Sequence, residues 1–259
     1  MPNVKVVILA GGQGSRLAEE TEVRPKPMVV IGGRPILWHI MKHYARYGFR
    51  EFVVALGYRG EDIKKYFLDY LSISGDLTVN VGERTVTRLD RESDDWLVHL
   101  VDTGLDTNTG GRIGRLSDRL SDGPFMLTYG DGVSDIDLPA LLEFHRRCGR
   151  LATVSAVRPP SRFGGLLLGP DGEATFTEKP QIGEGWINGG FMVLEPDVLR
   201  YIAGDRTSFE ADVLEQLSDE GRLAAYPHSG FWQCMDTMRD VRQLRSLWDA
   251  GSAPWMTWT

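Results

Sequence analysis

Near the start of the chain, Val4 to Ala10 (VKVVILA) form an almost unbroken apolar, largely β-branched run that stops at Gly11-Gly12. A run of strand length without polar alternation fits a strand covered on both faces, as in a parallel sheet with helices on either side. Strands and helices should then alternate, and they do. Ile36, Leu37, Ile40, Met41 and Tyr44 recur at helical spacing between Pro35 and Gly48, where proline opens and glycine closes. Phe52 to Leu56 reads as the next strand and Glu61 to Leu71 as the next helix. Pro124 to Tyr129 is another apolar strand, ending at Gly130-Asp131-Gly132. A helix follows from Leu138 to about Cys148, with Leu141, Leu142 and His145 on one face, then a strand from Ala152 to Val157. Shorter strands are predicted near Gly165 to Leu168, Ala174 to Glu178 and Asn188 to Leu194, and helices near Pro196 to Ala203 and Phe209 to Gly221. Glu92 to Asp95 and Gly104 to Gly111 read as loops. The expectation is one Rossmann-like α/β domain over residues 1–259, with a mostly parallel, mixed central sheet flanked by helices. Right-handed crossovers put Gly11 and Gly130 on the same sheet edge, where ligands bind in such folds.

Composition narrows the function. Hydrophobic residues make up 42% and charged residues 25%, so the chain can bury a core. A net charge of -7 argues against nucleic-acid binding, which needs a basic face. No segment approaches the ~20 apolar residues of a membrane span, and a cytoplasmic location is expected. Cys148 and Cys234 form no CxxC pair, and both are expected to be buried or half-buried thiols.

A glycine-rich turn after a first strand suggests phosphate, because glycine lets backbone N–H groups approach an anion. The two common nucleotide motifs fail here. Gly12-x-Gly14-x-x-Leu17 lacks the third glycine of the dinucleotide fingerprint, and Gly-Ser-Arg stands where a P-loop needs Gly-Lys-Ser/Thr. Glycines alone are equally compatible with a tight structural turn. Arg16 and Lys26 favour the anion: Arg24-Pro25-Lys26-Pro27 fixes the backbone on both sides of the lysine, and the two cations match the charge density of a nucleoside triphosphate. Asp131 and Asp236 are candidate metal ligands, since Mg2+ needs only one or two carboxylates when phosphate completes its shell. The alternatives are a turn residue for Asp131 and the N-cap of a helix starting near Thr237 for Asp236. His39 and His43 have metal-pair spacing but read, with Lys42 and Arg46, as a solvated helix face. Trp255 and Trp258, exposed if the terminus is free, would pack on another subunit.

LAGGxGSRL followed by RPKPM resembles the signature of the sugar nucleotidyltransferases, the pyrophosphorylases that build nucleoside diphosphate sugars. TGGR, TYGDG, GFWQCMDT and the APWMTW tail resemble the glucose-1-phosphate cytidylyltransferase branch in particular, and the match spans nearly the whole chain. The resemblance implies transfer of a cytidylyl group from CTP to glucose 1-phosphate, early in a route to CDP-linked deoxysugars, with Mg2+ on Asp131 and Asp236. It implies a nucleotide part over roughly 1–135, with contacts from Leu9, Ala10, Gly11, Gly12, Gly14, Ser15, Arg16, Lys26, Thr109, Gly111, Arg112 and Gly130. Ser15 stands where threonine is frequent. A sugar-phosphate part over roughly 136–259 would use Gly164, Glu178, Lys179, Asn188 and Gly189, with Tyr129 from the preceding part. Arg16, Lys26, Asp131 and Lys179 would carry catalysis, in a homo-oligomer that is hexameric if the family habit holds. A sibling using UTP or dTTP, and a non-catalytic nucleotide-sugar sensor, are the rival readings. No hexapeptide repeat follows, so a fused acyltransferase is not expected.

Overall fold

The computed structural model describes residues 4–14, 17–73, 76–89, 94–159, 165–168, 174–177 and 185–258. The elements that build the site are β1 (Val6–Ala10), α1 (Ile36–Arg46), β2 (Glu51–Leu56), α2 (Gly60–Ile73), β3 (Leu97–Asp102), α3 (Thr109–Gly114) and β4 (Phe125–Tyr129). They continue with β5 (Gly132–Ser134), α4 (Leu138–Cys148), β6 (Ala152–Val157), β7 (Ile187–Leu194), β8 (Leu223–His228), β9 (Trp232–Cys234) and α5 (Met238–Asp249).

Seven strands form the central sheet in the order β8-β6-β7-β4-β1-β2-β3. β1 runs parallel to both β2 and β4, so that Val6 lies opposite Phe52 and Met126. β2 and β3 are parallel, as are β6 and β8. Only β7 is antiparallel to its neighbours, which makes the sheet mixed. The unbroken apolar run of β1 has its explanation in two cores. Val6, Ile8 and Ala10 face one that includes Ile36 and Ile40 of α1, Leu141 of α4 and Leu244 of α5. Val7 and Leu9 face the other, with Ile113 of α3 and Phe209. Each aliphatic side chain fully buried there contributes about 1.5–3 kcal/mol. Among the described residues no helix is long and apolar enough to cross a membrane.

Several expectations need correction. His39 and His43 are not solvated: they are 1% and 3% exposed, because the chain's last residues cover the face of α1 that looked free. His39 Nε2 donates to the Ile31 carbonyl (2.9 Å) and its Nδ1 accepts from Trp255 Nε1 (3.3 Å). Trp255 is therefore a core residue, 1% exposed and stacked on Phe231, and Trp258 is half-buried with its ring edge-on to Trp38. Cys148 is exposed, at the end of α4, while Cys234 is half-buried. The stretch read as a loop to Gly111 already turns helical at Thr109, capped by the Asn108 side chain. The helix expected from Phe209 opens as a π-helix over Phe209–Leu214, and that from Pro196 is a 3-10 helix ending at Tyr201. A two-stranded hairpin, Asp76–Asn80 with Thr85–Leu89, was not legible as strands, and it leaves Leu77, Val79, Val81 and Val86 exposed.

Candidate active site

The turn after β1 is tied down from below. Arg112, on α3, donates to the carbonyls of Gly11 (3.0 Å), Leu56 (3.1 Å), Gly104 (2.7 Å) and Leu105 (3.2 Å) and to Thr103 Oγ1 (2.8 Å). One buried guanidinium thus gathers the chain ends that leave β1, β2 and β3. It also accounts for one glycine, since a Cβ at Gly11 would lie 2.3 Å from Arg112 Nη1. Gly14 has φ +64°, a conformation that other residues rarely adopt. Gly12 is different: a Cβ there would meet no atom of the described residues within 4 Å. Among the described residues nothing crowds that position, and Gly12 instead lines a cleft.

That cleft has a volume of about 380 Å³. It is lined by Leu9, Ala10, Gly11, Gly12, Gly14, Lys26, Thr109, Arg112, Tyr129, Gly130 and Asp131, all anticipated from the sequence, and by Pro27, Thr107 and Asn108, which were not. Gly111 is not in its wall; it packs instead against the backbone of Asp205, 2.4 Å from where its Cβ would be. Ser15, Arg16, Gly164, Glu178 and Lys179 lie outside the described residues.

Lys26 opens a short 3-10 turn, Lys26–Met28, entered from an extended Pro25 (φ -68°, ψ 149°). Its Nζ donates to Asp131 Oδ2 (2.6 Å) and to Asp236 Oδ1 (2.5 Å). The two acids are 105 residues apart in sequence. They meet because β9 pairs antiparallel with β5, Cys234 opposite Gly132, and Met235 N donates to the Asp131 carbonyl (2.8 Å). The N-cap alternative for Asp236 fails: the cap of α5 is Thr237, in a capping box with Asp240, whose carboxylate also accepts from the Asp236 amide (3.1 Å). The Asp236 carboxylate is left to face Lys26. Burial acts to lower the Lys26 pKa, but contact with Asp131 and Asp236 outweighs it, and the value is raised above that of an ordinary lysine. The Cys234 thiol is pushed up to about 12 by burial and by Asp236, so it stays neutral beside the acids.

Among the described residues there is no cluster of three or more potential metal ligands. A pair of hard carboxylates converging on one cation position fits Mg2+ when phosphate oxygens supply the remaining ligands, and fits a closed protein-only site poorly. Tyr129 forms a further part of the wall. Its hydroxyl donates to Glu210 Oε1 (2.5 Å), while Thr109 Oγ1 donates to Glu210 Oε2 (2.6 Å). Glu210, in the π-helical turn, escaped the sequence reading because its partners lie 81 and 101 residues away. Asn188 stands exposed at the start of β7, where its Oδ1 accepts from Gly190 N (2.9 Å), and the Gly189 carbonyl accepts from Trp232 Nε1 (2.7 Å).

Comparison with known proteins gives a consistent result. The family model described as Nucleotidyl transferase matches residues 5–253. A Salmonella typhimurium protein named glucose-1-phosphate cytidylyltransferase is 47% identical over 256 residues, which is 98% of this chain and all of that one. A Bacillus subtilis protein named probable glucose-1-phosphate cytidylyltransferase is 43% identical over the same coverage. Among solved structures, HddC from Yersinia pseudotuberculosis superposes with a TM-score of 0.71 at 23% identity, covering 95% of this chain and 99% of its own. A Bacillus anthracis structure titled putative glucose-1-phosphate thymidylyltransferase gives 0.67 at 18%, covering 96% of this chain and 95% of its own. Both establish likeness of fold.

Proposed function

The chain belongs to the nucleotidyl transferase family, and from that premise we propose that it transfers the cytidylyl group of CTP to α-D-glucose 1-phosphate, giving CDP-glucose and pyrophosphate. The observation that carries the reading is the meeting of Lys26 and Asp131, which line the glycine-rich cleft, with Asp236. Full-length similarity to the Salmonella protein supports the choice of base and sugar.

In this reaction a phosphate oxygen of the sugar attacks the α-phosphorus of the nucleotide. The bond from that phosphorus to the bridging oxygen breaks, and pyrophosphate leaves with the electron pair. The sugar phosphate is already ionised at neutral pH, so no strong general base is required. Catalysis is then positioning and charge neutralisation. The backbone N–H groups between Gly11 and Gly14 would face the triphosphate, with Lys26 turned onto the leaving pyrophosphate. Arg16 would assist it, and Lys179 with Glu178 and Gly164 would hold the sugar phosphate, roles that rest on the motif resemblance. Asn188, Gly189 and Tyr129 would complete the sugar side. Asp131 and Asp236 would hold Mg2+, which when bound neutralises phosphate charge and fixes the α-phosphate for in-line attack.

The test is pyrophosphate release from each of the four nucleoside triphosphates with glucose 1-phosphate. CTP is expected to be preferred by at least tenfold. Faster release from UTP or dTTP would make the protein a sibling enzyme, and CTP binding without release would make it a sensor. Substrates drawn from the nucleotide pool support a cytoplasmic location. We further propose a homo-oligomer, hexameric by family habit. With Trp255 buried within its own chain, support for it moves to the hairpin, where Leu77, Val79 and Val86 share one exposed apolar face. Light scattering that returned only the 29.0 kDa mass of one chain would refute it.

A further inference from the structure

The Lys26 ammonium occupies the position that the two carboxylates would offer a divalent cation. One nitrogen satisfies an oxygen of each acid, at 2.6 and 2.5 Å. The three side chains are only 11%, 26% and 15% exposed, so solvent screens the acids weakly from each other. Two carboxylates that close would repel without a cation between them. We propose that Lys26 is the resident cation of this site: it holds Asp131 and Asp236 together in the free protein, and yields them to a divalent metal only when nucleotide phosphates give its ammonium another partner.

The exchange is mechanically simple. Pro25 and Pro27 flank the lysine, and Pro27 is buried, so the backbone stays in place while the side chain rotates. Lys26 lines the same cleft as Gly12 and Gly14, and a Cβ at Gly14 would lie 3.4 Å from the Lys26 Cβ, so the long side chain spans the space where the backbone N–H groups of those glycines would hold an anion. Metal arriving alone must break two charge-assisted hydrogen bonds without a nucleotide phosphate to receive the ammonium. Metal arriving with nucleotide need not. Metal and nucleotide therefore bind cooperatively, each raising the affinity of the other by the same factor. The inference rests on the metal-assisted reading above, and its test separates the two.

Mn2+ binding, followed by electron paramagnetic resonance without turnover, measures the exchange directly. In the absence of nucleotide, Lys26→Gln should bind Mn2+ at least about tenfold more tightly than wild type, the scale of one charged hydrogen bond removed. Lys26→Arg, which keeps the cation, should remain as weak as wild type, and adding Asp131→Asn to Lys26→Gln should abolish the gain. Equal Mn2+ affinity for Lys26→Gln and wild type would overturn the proposal. If Asp131→Asn left Mn2+ binding unchanged with CTP present, the metal assignment itself would fall. A measurement on the unmodified protein serves if the variant does not fold: the Lys26 15Nζ resonance should shift on adding Mg2+ with CTP and not on Mg2+ alone. A shift with Mg2+ alone would contradict the exchange.

Discussion

Lys26 reaches both acids because three separate pieces of chain deliver one atom each to the same spot. Removing one acid takes a charged partner from Lys26, and removing Lys26 takes one from both acids, in a poorly solvated place. Lys26→Ala or Asp131→Asn is expected to lower turnover by at least ~100-fold, the cost of deleting one electrostatic stabiliser of a transition state. A pyrophosphate-release assay that found near-native turnover in either variant would remove that residue from the mechanism. These side chains were legible in sequence because local chemistry marks them: a lysine between prolines, and an aspartate between glycines after an apolar strand. Arg112 was legible only as a candidate phosphate contact. Its five donations go to carbonyls and a hydroxyl on segments up to 101 residues away, which no local pattern encodes. Arg112→Lys, with fewer donors and no planar fork, should destabilise the fold by a few kcal/mol through unsatisfied buried carbonyls. A denaturant midpoint unchanged by the substitution would contradict this.

Elements carry the next layer. The β5–β9 ribbon sets the separation of the two acids, and the Thr237 cap of α5 fixes where the ribbon ends. Thr237→Ala should cost about 1 kcal/mol of stability, the usual price of a lost cap. Turnover should fall further than that loss explains, because Asp236 precedes the cap directly. Equal turnover at temperatures well below unfolding would count against the positioning. On α1, burial holds both His39 and His43 down to about 4, from an ordinary 6.5. For His39 the reason is also visible in its bonds: Nε2 donates, Nδ1 accepts, and a second proton would oppose the Trp255 N–H. The unfolded chain therefore binds more protons than the folded one between pH 6.5 and pH 4. Stability is full above that window and is lost as pH falls through it, by roughly 3 kcal/mol for each group. Thermal unfolding followed from pH 7 to pH 4 should show the fall, and His39→Asn should remove about half of it. The amphipathic period of α1 was plain in the sequence. That its second face is also covered was not, because the covering tryptophans lie more than 200 residues away.

For the whole molecule, the pairing of β1 with β4 is what makes a site. Parallel neighbours end at one edge, so the turns after Ala10 and Tyr129 form two sides of one cleft. This much followed from apolar runs alternating with helical periods and from the handedness of crossovers. The antiparallel direction of β7 did not, because a buried run reads the same in either direction. Nor did the hairpin over Asp76–Leu89, where Leu77, Val79 and Val86 alternate onto one exposed face. The central claim is that the triphosphate lies on the turn after β1 while a divalent ion bridges Asp131 and Asp236. A crystal grown with CTP and Mn2+, with data collected at the manganese edge, tests it most directly. One anomalous peak in contact with both carboxylates, beside phosphates seated on Gly11 to Gly14, is the expected result; a nucleotide bound elsewhere, or a manganese touching neither acid, would contradict it.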